Sequence, residues 1–328
     1  MREKVLVTGG AGYVGSVLVP KLVLKGLDTI VLDLMLFGDS GLSSIKDKCE
    51  VIKGDIRDYD LIKKTIRGVD YVIHLAAIAN DPCSNLKPEL TRQVNYEATK
   101  NLVQVSKESG VKRFIYASSS SVYGIRDEQN ITEDLELKPL TIYSKTKAWA
   151  EEEVRRQNCP GFITTSIRSA TVCGYSPRQR LDLIVNILAS DAITKGVMTI
   201  NGGQQKRPNV HIQDITDLYE ILLTAPEDKI SGQIFNYGKE NHTVNELGEI
   251  VKGIVGEHVK IIINQKTADS RSYHISSEKI ENALGIYPIR SVSDAVRDLK
   301  NVFESGLLKN TEDANFRNIE KMKQLDLK

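Results

Sequence analysis

The chain of 328 residues has few cysteines, no long apolar run and almost no net charge. Its four cysteines, Cys49, Cys83, Cys159 and Cys173, lie far apart and form no Cys-x-x-Cys pair. That excludes a zinc knuckle and a disulfide scaffold, and the thiols read as small, reduced core residues. No apolar stretch approaches the roughly 20 residues that span a bilayer. The N-terminus enters a strand pattern almost at once, which leaves no room for a signal peptide. A soluble, cytoplasmic protein is expected. The 44 Lys and Arg against 43 Asp and Glu leave a formal charge of +1, so there is no electrostatic reason to expect nucleic acid or an acidic membrane as partner. No cluster of histidines and carboxylates has metal-ligand spacing, no Gly-x-Ser-x-Gly elbow is present, and no internal repeat or low-complexity segment is found.

What the sequence does contain is a regular alternation of strand and helix patterns through its first half. Strands are predicted at about residues 4–8, 28–33, 50–53, 70–74, 112–117 and 162–168, with helical patterns between them, notably Glu89 to Ser109 and Tyr143 to Gln157. Such alternation means a parallel sheet with helices on both faces, a doubly wound α/β domain of the Rossmann type. After about residue 175 the segments become shorter and more mixed, as in a smaller lobe. The expected division is therefore residues 1–175 for the sheet domain and 176–328 for a substrate lobe, with the strand Gln233 to Tyr237 returning to the main sheet. The charged stretch Lys309 to Lys328 reads as a solvated terminal helix or a frayed tail.

Gly9, Gly12 and Gly15 stand three apart between the first strand and the first helix. This spacing lets the chain turn sharply, lets a phosphate approach bare backbone, and packs the helix closely on the strand; a pyrophosphate would sit at the helix N-terminus. The second apolar run ends in Asp33. A carboxylate there accepts from both hydroxyls of an adenosine ribose and repels a 2′-phosphate, which favours NAD over NADP, although an aspartate there also caps a loop. Asp55 and Ile56, after the third strand, are placed to hold the adenine edge.

Tyr143 and Lys147 are four apart on a predicted helix and so share a face. A phenol is a poor base at neutral pH until a nearby ammonium and a positive nicotinamide ring favour the phenolate. An ordinary exposed helix face carries the same spacing. The serine-rich segment Ser118 to Ser121 follows the fifth strand, at the carboxyl edge where doubly wound sheets bind ligands. A hydroxyl there bridges a carbinol and the phenol, and a serine turn of this kind equally caps its own backbone.

Taken in order, TGGAGYVG (8–15), Asp33, GDIRD (54–58), HLAA (74–77), Val94-Asn95, SSSSVYG (118–124), YSKTK (143–147) and the segment Arg207 to Asp214 resemble the extended short-chain dehydrogenase/reductases that modify nucleotide-linked sugars, over nearly the whole chain. The resemblance implies cofactor contacts from Gly9, Gly12, Tyr13, Val14, Gly15, Asp33, Asp55, Ile56, Leu75, Ala76, Ala77, Asn95 and Lys147, with NAD as the cofactor. It implies Tyr143 as base, Ser119 as the hydroxyl partner and Lys147 as their companion. On the substrate side it implies Ser120, Thr171, Arg178, Arg180, Asn186, Arg207 and Arg271, the arginines gripping the diphosphate of a nucleotide sugar. Polar helix starts and surface salt bridges are the ordinary alternatives for Arg180 and Arg271. It further implies a homodimer through a four-helix bundle formed by Glu89 to Ser109 and Thr141 to Gln157, although the apolar stripe of Val94, Ala98, Leu102 and Val105 also fits an ordinary core.

Within that family, dehydratases carry an Asp-Glu pair directly after the catalytic hydroxyl, decarboxylases a Glu at the second of those places, and epimerase-reductases a Cys at the first. Here both places are serine, Ser120 and Ser121. The expectation is a nucleotide-sugar 4-epimerase, with a C4 dehydrogenase giving a 4-keto product as alternative. Thr171 stands where many 4-epimerases have Asn, which argues against a standard galactose-type substrate. A non-catalytic NAD(H)-binding regulator usually loses the Tyr or the Lys, and both are present.

Overall fold

In the first strand, β1 (Lys4–Thr8), successive side chains face opposite sides. Val5 and Val7 enter one apolar cluster with Leu18, Val19 and Leu22, whereas Leu6 enters another with Leu102, Phe114 and Val154. Both faces are covered, so Val5, Leu6 and Val7 are apolar in succession rather than alternating with polar residues, as a parallel sheet wrapped by helices requires.

The computed structural model describes residues 2–126, 128, 130–265 and 272–325. Its strands continue with β2 (Asp28–Asp33), β3 (Glu50–Lys53), β4 (Tyr71–His74), β5 (Arg113–Ala117) and β6 (Ile163–Ser169). Then come β7 (Thr171–Cys173), β8 (Val197–Asn201), β9 (Lys206–His211), β10 (Gln233–Tyr237), β11 (Glu240–Thr243) and β12 (Lys260–Asn264). Seven of them form one sheet in the order β10-β6-β5-β4-β1-β2-β3, and every pairing in it is parallel. The helices Gly15–Leu24 and Ile212–Leu222 cover one face; Ala98–Glu108 and Ile142–Gln157 cover the other. This is a doubly wound α/β fold. The strand order reverses between β1 and β4, and the crevice beyond the carboxyl ends of those two strands is where such a sheet receives ligands.

β10 lies beside β6, so the chain comes back to the main sheet partway through two small ones, β11-β9-β7 and β12-β8, whose last strands follow it. A separate apolar cluster joins the helices Ile184–Lys195, Val244–Val255 and Val292–Glu304 through Leu188, Leu247 and Val296.

Two departures from the sequence expectation bear on the site. The helix foreseen from Glu89 to Ser109 starts at Pro88 and widens into a π turn at Gln93–Glu97 before resuming at Ala98. The charged C-terminal stretch is not free in solvent: Met322, on the helix Asn318–Gln324, packs with Ile78, Cys83 and Leu90, and the Leu181 N–H donates to the carbonyl of Phe316 at 2.8 Å.

Candidate active site

A cavity of about 580 Å³ opens at the switch point of the sheet and continues beneath the segment 178–187 and the C-terminal helix. Of the residues singled out in the sequence, Gly9, Gly12, Tyr13, Val14, Gly15, Asp33, Asp55, Ile56, Leu75, Ala76, Ala77, Ser119, Ser120, Tyr143, Lys147, Thr171, Arg178 and Arg180 line it.

The glycine turn leaves no space for side chains. Gly9 has φ +73°, and a Cβ on it would stand 2.6 Å from the backbone nitrogen of Ala76; one on Gly15 would stand 2.5 Å from Gly10 Cα. Bare backbone at the mouth of the helix Gly15–Leu24 is thus a steric necessity here, and it fits a pyrophosphate. At the end of β2 the Asp33 carboxylate accepts the Met35 N–H at 2.8 Å and the Ala11 N–H at 3.0 Å, one on each oxygen. Lone pairs remain on both oxygens for ribose hydroxyls. Burial pushes its carboxyl up, opposed by those two N–H groups and by the charge of Arg178. Asp55 is held by Arg57, whose Nη2 donates to it at 2.7 Å.

The catalytic candidates come from three adjoining elements. Ser119 follows β5 in extended conformation and caps the short turn Ser120–Tyr123: its Oγ accepts the Ser121 N–H at 3.2 Å and lies 2.9 Å from Ser121 Oγ. The helix Ile142–Gln157 is started by a reciprocal cap, with Thr141 Oγ1 accepting the Ser144 N–H at 3.2 Å and Ser144 Oγ accepting the Thr141 N–H at 3.0 Å. Thr141 also hydrogen-bonds the Asp81 carboxylate. That cap fixes the first turn, which carries Tyr143, and Lys147 follows one turn later. Lys147 Nζ donates to the Ala117 carbonyl at 2.7 Å and lies over the Tyr116 ring at 4.9 Å.

The charges are arranged differently from the simplest expectation for a Tyr–Lys pair. Burial raises Tyr143 above the ordinary phenol range; a hydrogen bond from Ser119 and the positive charge of Arg180 pull it back. Burial also pushes Lys147 down to about 7, and the carboxylate of Glu151 opposes that shift. Before a cofactor binds, Arg180 is therefore the cation that favours the phenolate. Arg180 is itself buried and paired with Asp182, Nε to Oδ1 at 2.9 Å, and this pair holds the arginine above its usual value despite burial.

Three candidates do not line the cavity. Asn95 lies in the π turn and is spent on the backbone of Ile78: Oδ1 accepts its N–H at 2.8 Å and Nδ2 donates to its carbonyl at 3.0 Å. It holds a wall of the cavity instead of facing a ligand. Asn186 accepts the Gly174 N–H at 3.0 Å and donates to Tyr13 Oη at 3.0 Å and to the Arg180 carbonyl at 2.9 Å, which fixes the turn carrying both arginines. Arg207 sits on β9 between β7 and β11, and its Nη1 donates to the neighbouring Lys206 carbonyl at 3.0 Å. Arg271 lies outside the described residues.

Several lining residues are not among the site candidates named from the sequence: Phe37, Asn80, Asp182 and Asn318. Asn80 has φ +81°, a strained conformation for a non-glycine residue. Its Oδ1 accepts the Cys83 N–H at 3.0 Å and its Nδ2 donates to Asp182 at 3.2 Å. An Asn directly before Asp81-Pro82 is a helix-cap signal, and it was available.

Similarity to known proteins agrees with this geometry. The family model of the NAD dependent epimerase/dehydratase family matches residues 5–238. The UDP-glucose 4-epimerase of Lactobacillus helveticus is 31% identical over 311 residues, covering 87% of this chain and 92% of its own. Among solved structures, the UDP-glucuronic acid 4-epimerase of Bacillus cereus, in complex with UDP-glucuronic acid and NAD, superposes with a TM-score of 0.82 at 25% identity, covering 92% of this chain and 99% of that one. The dTDP-glucose 4,6-dehydratase DesIV of Streptomyces venezuelae, with NAD bound, does so at 0.82 and 26%, covering 93% and 99%. The glycine cradle, the Asp33 carboxylate and these likenesses together make the chain an enzyme of the NAD dependent epimerase/dehydratase family, with NAD as its cofactor.

Proposed function

We propose that the enzyme is a nucleotide-sugar 4-epimerase: it oxidises C4 of a sugar linked to a nucleoside diphosphate and then reduces the 4-keto sugar from the opposite face. NAD would supply the hydride acceptor and donor. Tyr143, hydrogen-bonded to Ser119 and acted on by the charge of Arg180, is the group to take the C4 hydroxyl proton and to give it back. Ser119, with Ser121 Oγ 2.9 Å away, orients that proton. Lys147 would meet the nicotinamide ribose, and Ser120 and Thr171 the sugar.

The observation that carries the reading is the pair of residues after Ser119. An elimination needs an acid that protonates the departing hydroxyl and a base that takes the C5 proton. The buried alcohols of Ser120 and Ser121 serve neither need, which disfavours elimination and leaves hydride return, or release of the ketone, as its fate. The 4-epimerases named among the relatives support the same reading. The test is to incubate the enzyme with UDP-, GDP-, CDP- and dTDP-sugars plus NAD, following products by NMR and absorbance at 340 nm. A C4-inverted sugar without NADH build-up is expected, and Tyr143→Phe should lower its rate by about 10²–10⁴-fold. A 4-keto product with accumulating NADH would replace epimerase by C4 dehydrogenase. Activity unchanged in Tyr143→Phe would remove Tyr143 from the chemistry.

We further propose that the enzyme is a homodimer built on the outer faces of Ala98–Glu108 and Ile142–Gln157. Ala98, Leu102 and Val105 are not available for it, since they pack under the sheet. Trp149, 44% exposed with Tyr96 against its edge, is the apolar anchor left on that face.

A further inference from the structure

Arg178 is 6% exposed, and among the described residues no carboxylate lies within ion-pair distance of it. Its Nε has no hydrogen-bond partner, and its Nη2 donates to a neutral group, Asn318 Oδ1, at 2.7 Å. The other buried arginines of this region are compensated: Arg168 by Glu151 and Arg180 by Asp182. A guanidinium taken out of water with no carboxylate in contact, only the longer-range pull of Asp182 and Asp33, is costly, and this one faces the cavity. It is arranged for an anion that arrives with a ligand.

Its neighbours say which anion. The Arg178 N–H donates to Ser16 Oγ at 3.2 Å, in the first turn of the helix that follows the glycine cradle. A Cβ on Gly41 would stand 3.2 Å from Arg178 Cβ. The guanidinium carbon lies over the Phe37 ring, 3.5 Å from its centre, in the loop that follows Asp33. Phe37 lines the cavity with Asp33 and the glycine turn, and Ser16 follows Gly15 directly, so these contacts fall at the cofactor end. We propose that Arg178 binds the cofactor and not the sugar nucleotide: its guanidinium supplies the counter-charge to the diphosphate bridge of NAD, with Phe37 and Asn318 fixing its plane. A 2′-phosphate is the poorer occupant because the Asp33 carboxylate stands on the same side. Asn318 adds a second consequence. Its N–H donates to Asp182 Oδ2 at 3.0 Å while its side chain holds Arg178, so the C-terminal segment joins the cofactor anchor to the Arg180–Asp182 pair near Tyr143.

The inference rests on NAD occupying this cavity, and the experiment separates the two. Calorimetric titration of the cofactor-stripped full-length enzyme would use NAD, NADP, ADP, adenosine, UDP and GDP at low and moderate salt. Arg178→Met should weaken NAD and ADP at least tenfold, flatten their salt dependence, and leave adenosine, UDP and GDP within twofold. Arg178→Lys should recover part of the loss, and Asn318→Ala should fall between the two. Without ligand, Arg178→Met should melt no lower than the parent, because a buried charge with no contact ion-pair partner has been removed; should it fail to fold, Asn318→Ala and Phe37→Ala, which keep the charge, must still weaken NAD and ADP selectively. Unchanged NAD affinity in Arg178→Met overturns the proposal, as does a fall confined to UDP or GDP, or a parent enzyme that prefers NADP. A parent that binds neither NAD nor ADP strikes the cofactor placement itself.

Discussion

Lys147 carries its amine where the surroundings oppose its charge: it is 3% exposed, one turn from Tyr143, with the Ala117 carbonyl as its hydrogen-bond acceptor. Burial brings it down to about 7, against about 10.4 in an unfolded chain. Between those values the unfolded state binds more protons than the folded one, so stability rises with pH across that window; below pH 7 both states are protonated and the full burial penalty applies. One such group contributes a slope of at most about 1.4 kcal/mol per pH unit. In denaturant unfolding of the cofactor-free enzyme from pH 6 to 10, Lys147→Met should therefore lose part of the alkaline rise seen in the parent. Equal slopes in the two proteins would show that the amine stays protonated in the fold. At this scale the sequence was legible where function depends on spacing along the chain: the glycines, Asp33 at a strand end, and Tyr143 with Lys147. It was not legible where function depends on the direction of a side chain in space. Asn95 and Asn186 turn to groups of the protein itself, and Arg207 donates to the Lys206 carbonyl; nothing in their spacing foretells that.

The helix Ile142–Gln157 must hold its register against the sheet to within a fraction of a turn, since Tyr143 and Lys147 both depend on it. Its cap fixes one end. Further along, Glu151 meets Arg168 of β6, with Nη2 to Oε1 at 2.6 Å and side chains 3% and 4% exposed. Arg168 also donates to Tyr123 Oη at 2.8 Å, and Tyr123 donates to Asn236 Oδ1 of β10 at 2.7 Å. The network ties the helix that carries Tyr143 and Lys147 to two neighbouring strands and to the turn that begins at Ser119. Removing one partner leaves a buried charge, so Glu151→Gln should cost about 3–5 kcal/mol in chemical denaturation, while Glu151→Leu combined with Arg168→Met should recover most of it. A double variant no more stable than the single one would mean that the network, rather than the charge, sustains the helix. Strand positions were legible from apolar runs because a sheet buried on both faces leaves little else for them to be. The π turn at Gln93–Glu97 was not: an extra residue in a helix leaves the apolar spacing on either side nearly intact, yet it is what places Asn95 against Ile78.

For the whole molecule the question is why a stretch as charged as the C-terminus should dock. Its helix offers Ile319 and Met322, three apart and so on one face, to Ile78, Cys83 and Leu90. Against the charges around them these two side chains make a weak pattern, and the stretch reads as solvated until the apolar shelf it covers is known. The shelf comes from a distant part of the chain, the loop after β4 and the helix that follows it, which no local reading connects to residue 318. Docking closes a wall of the cavity, because Asn318 reaches Arg178 and Asp182 only from this seat. A patch this small should open on its own, well below the free energy of global unfolding. Met322→Ala, which removes its most buried side chain, should cost the local unit about 2 kcal/mol, the lower end for a large-to-small change in a core. In hydrogen exchange followed by mass spectrometry, amides of 314–324 should then exchange roughly 30-fold faster, as about 2 kcal/mol implies, while those of β1, β4 and β5 keep the parent rate. Faster exchange spread evenly over the sheet would instead make the C-terminal helix part of the cooperative core, so that the cavity wall could not open without unfolding the sheet that carries the cofactor.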